Sequence, residues 1–174
     1  HRRSGCSPCT PDYLAAKSKH QLIRRAAARL CPCQHPNMPL PTPLSIQQLY
    51  DDNRESLQLG WFAGFPGGER LISGDATSAA DQVGHLNLIH PGRIQVFGHQ
   101  EVEYYQRLSP NGRAHHTSEL VAGQPPAFII AQGLETPSEI MAICDDNNIP
   151  LFSTPLPAAQ VIDYLRVYLS KKLA

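Results

Sequence analysis

Cysteine, histidine and glycine are the residues of this chain whose types and spacing suggest chemistry. Four of the five cysteines lie near the start as Cys6-x2-Cys9 and Cys31-x-Cys33, with His35 two residues on. Thiolates and an imidazole at such spacing can close a tetrahedral zinc site. Against zinc, C-x-C is a tight partner for C-x2-C, and the stretch between the pairs carries no strand or turn signature of a zinc ribbon. Plain thiols are therefore the preferred reading, with Cys6, Cys9, Cys31 and Cys33 kept as the candidate ligands. They do not resemble a secreted disulfide framework, so a reducing cytoplasm is expected.

The glycine-rich stretch Gly64-Phe65-Pro66-Gly67-Gly68 invites comparison with a phosphate cradle. A P-loop requires G-x4-G-K-[S/T], whose lysine reaches the phosphates. The lysines here are Lys17, Lys19, Lys171 and Lys172, and none follows a glycine. A dinucleotide G-x-G-x-x-G is absent too, so a plain turn is expected. His85, His90, His99, His115 and His116 form no H-E-x-x-H or other ligand pair at i, i+4, and His115 and His116 diverge if helical. Ser138 lies outside any G-x-S-x-G. Asp145-Asp146 close a helix instead of standing at a strand end, and Cys144 reads as a small buried hydrophobe. Surface or capping roles are expected for these polar groups, because none has convergent partners. No catalytic or metal residue is assigned.

The elements that would position a site are clearest from Pro125 to Leu156. Ala127–Ala131 is a short apolar run suited to a strand covered on both faces. Thr136-Pro137-Ser138-Glu139 has the order of a capping box with proline at the first helical position. Ile140, Ile143 and Cys144 share one helical face, Asn147-Asn148 and Pro150 end it, and Leu151-Phe152 begins another strand. Strand, crossover helix and strand of this length make a βαβ unit.

Elsewhere, Ser45-Ile46-Gln47-Gln48 predicts a helix to about Asn53, and Leu57, Leu59 and Trp61 alternate like a strand. Leu71-Ile72 suits a short strand, followed by a loop or broken helix from Ser78 to Asn87. Arg93–Phe97 predicts a strand ending at Gly98. Helices are expected over Gln100–Leu108 and Arg113–Val121, and from Thr154–Pro157 onward to the terminal Lys171-Lys172.

Composition bounds the rest. The chain has 174 residues, 41% of them hydrophobic, and no net formal charge. Up to Asn37 it carries seven Lys or Arg against Asp12 alone, and afterwards eight against fourteen acids. A basic, cysteine-containing extension over 1–37 thus precedes an acidic domain over 38–174. Its composition is like that of a transit peptide or a nucleic-acid-contacting arm, but a disordered extension lying outside the domain is the preferred expectation. No 18-residue apolar run exists, so no membrane span is expected, and no nucleic-acid partner is expected either.

Together, Leu44–Leu49, VGHLNLIHPGRIQVFG from Val83 to Gly98 with Glu101 after it, PPAFIIAQGLETPSEI, and IPLFSTPLPAAQVIDYLRVYLSKKLA resemble the N-terminal domain of bacterial HPr kinase/phosphorylase. The likeness covers about residues 39–174, and Met38 stands where such a protein could begin. It implies a three-layer α/β fold, a mostly parallel sheet flanked by helices, similar to the first domain of Mur ligases. It also implies partnership with a C-terminal kinase domain that uses ATP and magnesium to phosphorylate a serine of the carrier protein HPr. A homo-hexamer in the phosphotransferase system is a further implication. The expectation is a non-catalytic accessory domain, with no cofactor of its own and inactive without the kinase domain. The alternative is a small-ligand-binding module with its pocket beyond the carboxyl ends of the strands, lined by Gly98, His99, Gln132, Gly133 and Thr154.

Overall fold

A computed structural model of the chain describes residues 43–72, 74, 81–85 and 92–174. Expectations for the cysteine-bearing extension and for His90 lie outside these residues. The elements in chain order are β1 (Leu44–Ser45), α1 (Ile46–Asn53), β2 (Gly60–Ala63), a 3-10 turn (Phe65–Glu69), β3 (Leu71–Ile72), β4 (Val83–His85) and β5 (Ile94–Phe97). Then follow α2 (His99–Arg107), α3 (Pro110–Ala122), β6 (Phe128–Ile130), α4 (Ser138–Asp146), β7 (Leu151–Ser153) and α5 (Ala158–Lys172).

Five strands form one sheet in the order β2-β7-β6-β5-β4. β4 to β7 run parallel, and β2 lies antiparallel against β7 at one edge. β1 and β3 form a separate antiparallel ribbon, with Leu44 opposite Ile72.

Side chains of a strand alternate between faces, so each strand serves two cores. Ile94, Val96, Ile129 and Phe152 turn to one face, where they meet Ile46 and Leu49 of α1 and Val161, Leu165 and Leu169 of α5. Phe97, Phe128, Ile130 and Leu151 turn to the other, against Tyr105 of α2, Leu120 of α3, and Ile140 and Cys144 of α4. This is the three-layer α/β architecture, with the predicted βαβ unit realised as β6-α4-β7.

Local details depart from the sequence expectations for physical reasons. Leu57 and Leu59 are buried as foreseen, but in a turn that precedes the strand. Gln58 between them has φ +50°, so their alternation comes from a turn folded over the core. Thr136 is not a cap: α4 begins after Pro137, with no side chain capping it. α3 starts at Pro110, ahead of Arg113, because the Ser109 hydroxyl accepts the Gly112 N–H at 3.1 Å. Val83–His85 is a strand and not a loop or broken helix, three residues being too few to show a period.

At the far end of α5, Asp52 ties the helix to α1. Its carboxylate accepts from Lys172 Nζ at 2.8 Å and from the Tyr168 hydroxyl at 2.7 Å. The Lys172 hydrogen bond, then that from Tyr168, hold Asp52 below the usual carboxylate range. Burial, then the bond to Asp52, push Tyr168 up. A depressed carboxylate contributes stability above its unfolded pKa and loses it as pH falls through the folded one. Wild type should therefore lose urea resistance more steeply than Asp52→Asn below about pH 4, the ordinary carboxylate range. At pH 7 the substitution should cost under about 1 kcal/mol, because these groups are partly solvated. Parallel urea midpoints across pH for the two proteins would refute this.

Candidate functional site

The carboxyl ends of β4, β5 and β6 open onto a cavity of about 410 Å³, lined by His85, Gly98, His99, Glu101, Gln132 and the first residues of α5. β5 ends at Gly98, where α2 begins. Glu101 reaches back so that its Oε2 accepts the Gly98 N–H at 2.9 Å. Its Oε1 lies 3.4 Å from His85 Nδ1, joining α2 to the end of β4. A Cβ on Gly98 would stand 3.1 Å from Glu101 Oε2 and 3.3 Å from Ala158 Cβ, so a side chain there would crowd the start of α5.

The His99 N–H donates to Gln132 Oε1 at 3.1 Å, which joins α2 to the loop after β6. Gln132 and Gly133 both have left-handed backbones, φ +61° and +62°. They are held there by bonds from Gln132 N–H to Leu156 O and from Gly133 N–H to Thr154 O, both 2.9 Å. The cavity thus sits where two helices begin. Helix starts favour anions, but the Glu101 carboxylate already occupies that of α2.

Of the residues expected to bind a ligand, Gly98, His99 and Gln132 are brought together here. Gly133 is exposed beside Gln132 but forms no part of the wall. Thr154 is 1% exposed and is corrected from an exposed candidate to an internal brace. Its hydroxyl donates to Leu57 O at 2.5 Å and accepts the Leu156 N–H at 3.2 Å. Sequence reasoning missed His85 and Glu101 as wall residues. The Gly98-x-x-Glu101 spacing, half of a capping box, is the signal that marks Glu101; His85 ends a strand too short to detect.

The remaining candidates take other places. His115 is exposed, 3.3 Å from Glu119 of its own helix. His116 turns the other way, 5.8 Å from the ring of Tyr105, and its burial lowers its pKa. Cys144 is fully buried and its thiol is pushed up to about 12, mainly by that burial, so it is no nucleophile near neutral pH. Asp145 accepts the Gly64 N–H at 2.8 Å, a fastening of the glycine turn against α4. Among the described residues, no three His, Cys, Asp or Glu gather as a metal site, and no helix is long and apolar enough to cross a membrane. The Gly64–Gly68 turn does not fit a nucleotide phosphate. A Cβ at Gly64 would meet Ile149 O at 1.9 Å, so protein backbone already lies against it.

Fold and cavity together define a three-layer α/β domain with a cleft at the carboxyl edge of its parallel strands. The chain belongs to the family described as HPr Serine kinase N terminus, whose model it matches over residues 44–169. It is 51% identical over 131 residues to the HPr kinase/phosphorylase of Bordetella petrii and 50% to that of Bordetella avium. It is 48% identical over 135 residues to that of Burkholderia cenocepacia. Each alignment covers 75% of this chain and 42% of the relative, so the chain spans about two fifths of the length of these proteins. One solved structure, the CBS and DRTGG domains of the regulatory region of Clostridium perfringens pyrophosphatase, is 17% identical over 73% of this chain and 70% of its own, with a TM-score of 0.30. That overlay is too partial to inform fold or function.

Proposed function

We propose that this chain is a non-catalytic, accessory and regulatory domain of an HPr kinase/phosphorylase. The observation that carries the reading is the family match over 44–169 in a chain that covers only 42% of its relatives. The sequence also lacks a glycine-lysine phosphate loop. Phosphoryl transfer needs a cradle for the phosphates, and the glycine-rich turn that could have offered one is seated against the backbone of Ile149. In the whole protein, ATP and magnesium would be held by a kinase domain that phosphorylates HPr. The present domain would support that domain and assembly into a homo-oligomer in the cytoplasm.

The test is direct. Purified chain incubated with HPr, ATP and magnesium should transfer no phosphate, and a separately produced kinase domain from a close relative should co-elute with it. Phosphorylated HPr from this chain alone would overturn the reading, as would failure of the two to associate.

A second reading, a small-ligand module, is favoured by the cavity that gathers Gly98, His99 and Gln132 with His85 and Glu101. Calorimetry with small anions and sugar nucleotides on wild type and His85→Ala separates the two. Heat released by wild type and lost in the variant supports the module.

A further inference from the structure

A second cavity, of about 400 Å³, opens between α2, α3 and the start of α4, with Tyr105, Arg113, Glu135, Pro137, Ser138 and Glu139 among its walls. Among its wall residues, three sets of hydrogen-bond donors lack acceptors. Tyr105 is only 1% exposed, yet its hydroxyl has no partner. A buried unpaired hydroxyl is a costly arrangement for a free protein to keep. Tyr105 is itself a wall residue, as are Glu139 and Arg113, the two charges that act on its hydroxyl after the effect of burial.

Arg113 Nε is the second donor. It lies 3.4 Å from Glu139 Oε1 but lacks hydrogen-bond geometry to it, and it too is buried without an acceptor. The third is the start of α4. Its cap is Pro137, which has no side-chain acceptor, and the carbonyl of Pro137 takes only the N–H groups of Ile140 and Met141. The N–H groups of the first turn before them are left uncapped, at the positive end of the helix.

We propose that this cavity binds the oxyanion group, phosphate or carboxylate, of a small molecule. The anion bridges the Tyr105 hydroxyl, the Arg113 guanidinium and the first N–H groups of α4. Guanidinium with helix-start amides is a suitable donor set for a planar or tetrahedral oxyanion. Glu135 and Glu139 stand at the rim. They disfavour a bare polyanion and suit a molecule whose hydroxyl or ammonium donors lie beside its single oxyanion group. Glu139, about half exposed, is free to swing from Arg113 when the anion arrives. The cavity lies outside the carboxyl-edge cleft, and the inference does not depend on the accessory-domain reading.

The test is an amide-resolved NMR titration of the full chain at pH 7 with sodium phosphate, sodium acetate and, at matched ionic strength, sodium chloride. Phosphate, acetate or both should move the Ser138 and Glu139 amides along saturable curves, while chloride should not. Which of the two saturates at the lower concentration identifies the source of the oxyanion. Arg113→Gln should weaken that binding about tenfold or more, as expected for loss of a charge-assisted contact. Tyr105→Phe should weaken it severalfold and leave the thermal midpoint unchanged or higher, because the hydroxyl bonds nothing in the free protein. A merely structural tyrosine would lower the midpoint and leave binding intact. Shifts that chloride reproduces, or undiminished binding in either variant, overturn the proposal. Tyr105→Phe removes a single atom and keeps the test alive should Arg113→Gln fail to fold.

Discussion

Replacing Gly64 by alanine should cost about 3–5 kcal/mol of folding stability, from left-handed strain together with overpacking against rigid backbone. Gly64 has φ +64° and ψ +32°, a conformation that L side chains rarely adopt. Its added Cβ would stand 1.9 Å from Ile149 O and 2.3 Å from Ile149 C. Those atoms belong to the junction between α4 and β7 and cannot rotate away as a side chain could. The surroundings show how closely the turn is seated. A Cβ on Gly67 would meet Asn148 O at 2.1 Å. Arg70 donates to Asn148 O at 2.7 Å, to Asn147 O at 2.9 Å and to Pro125 O at 3.1 Å. A guanidinium thereby satisfies the carbonyls left over at the end of α4.

Gly133→Ala is the matched control. Its φ is +62°, but a Cβ there has no neighbour within 4 Å. Strain alone remains, about 1 kcal/mol. Urea denaturation of the two variants separates conformation from contact. Equal losses would show that the seating against Ile149 carries no energy.

The sequence made one half of this turn readable and hid the other. Gly64 to Gly68 announce a turn by composition, and the missing lysine excludes a phosphate cradle. Nothing local shows that the turn packs against residues more than 80 positions away, because a backbone-to-backbone approach leaves no periodic trace. β6, α4 and β7 were legible because each carries its own signal: an apolar run, a helical face ended by Asn147-Asn148 and Pro150, then another apolar run. Leu57 and Leu59 misled because burial every second residue is also what a turn over a core produces. For the carboxyl-edge cleft, Gly98 marks a strand end and Gln132-Gly133 a loop, so their approximate place follows from chain order in a parallel sheet. The Thr154 hydroxyl faces inward to Leu57 O, a direction that no pattern of residue types specifies. The second cavity had no sequence signature. Its donors come from three helices, and their common property, the lack of acceptors, exists only after folding.

Phe152→Ala should destabilise the domain by about 3–5 kcal/mol, the usual cost of emptying a phenylalanine site in a core. Phe152 is fully buried in β7, between β2 and β6. Its ring stacks on Tyr50 of α1 at 5.4 Å between centroids and meets Trp61 of β2 edge-on at 5.1 Å. One side chain therefore holds a helix and the antiparallel edge strand to the parallel sheet. Such pairs add about 0.5–1.5 kcal/mol each beyond burial of area, which places the expected loss toward the upper end of the range. Phe152→Leu keeps most of the volume and should cost under about 2 kcal/mol. Trp61 is the only tryptophan in the chain, so its fluorescence reports on this cluster alone. In folded Phe152→Ala the emission should shift to the red, because water reaches the ring face that Phe152 covered. The bonds from Gln132 N–H to Leu156 O and from Gly133 N–H to Thr154 O join the loops after β6 and β7, outside the aromatic cluster, so they should persist, and their amides should stay protected from hydrogen exchange. A loss below about 1 kcal/mol with unchanged Trp61 emission would mean that Tyr50 and Trp61 close over the vacancy, and α1 and β2 would then be held to the sheet by something other than Phe152.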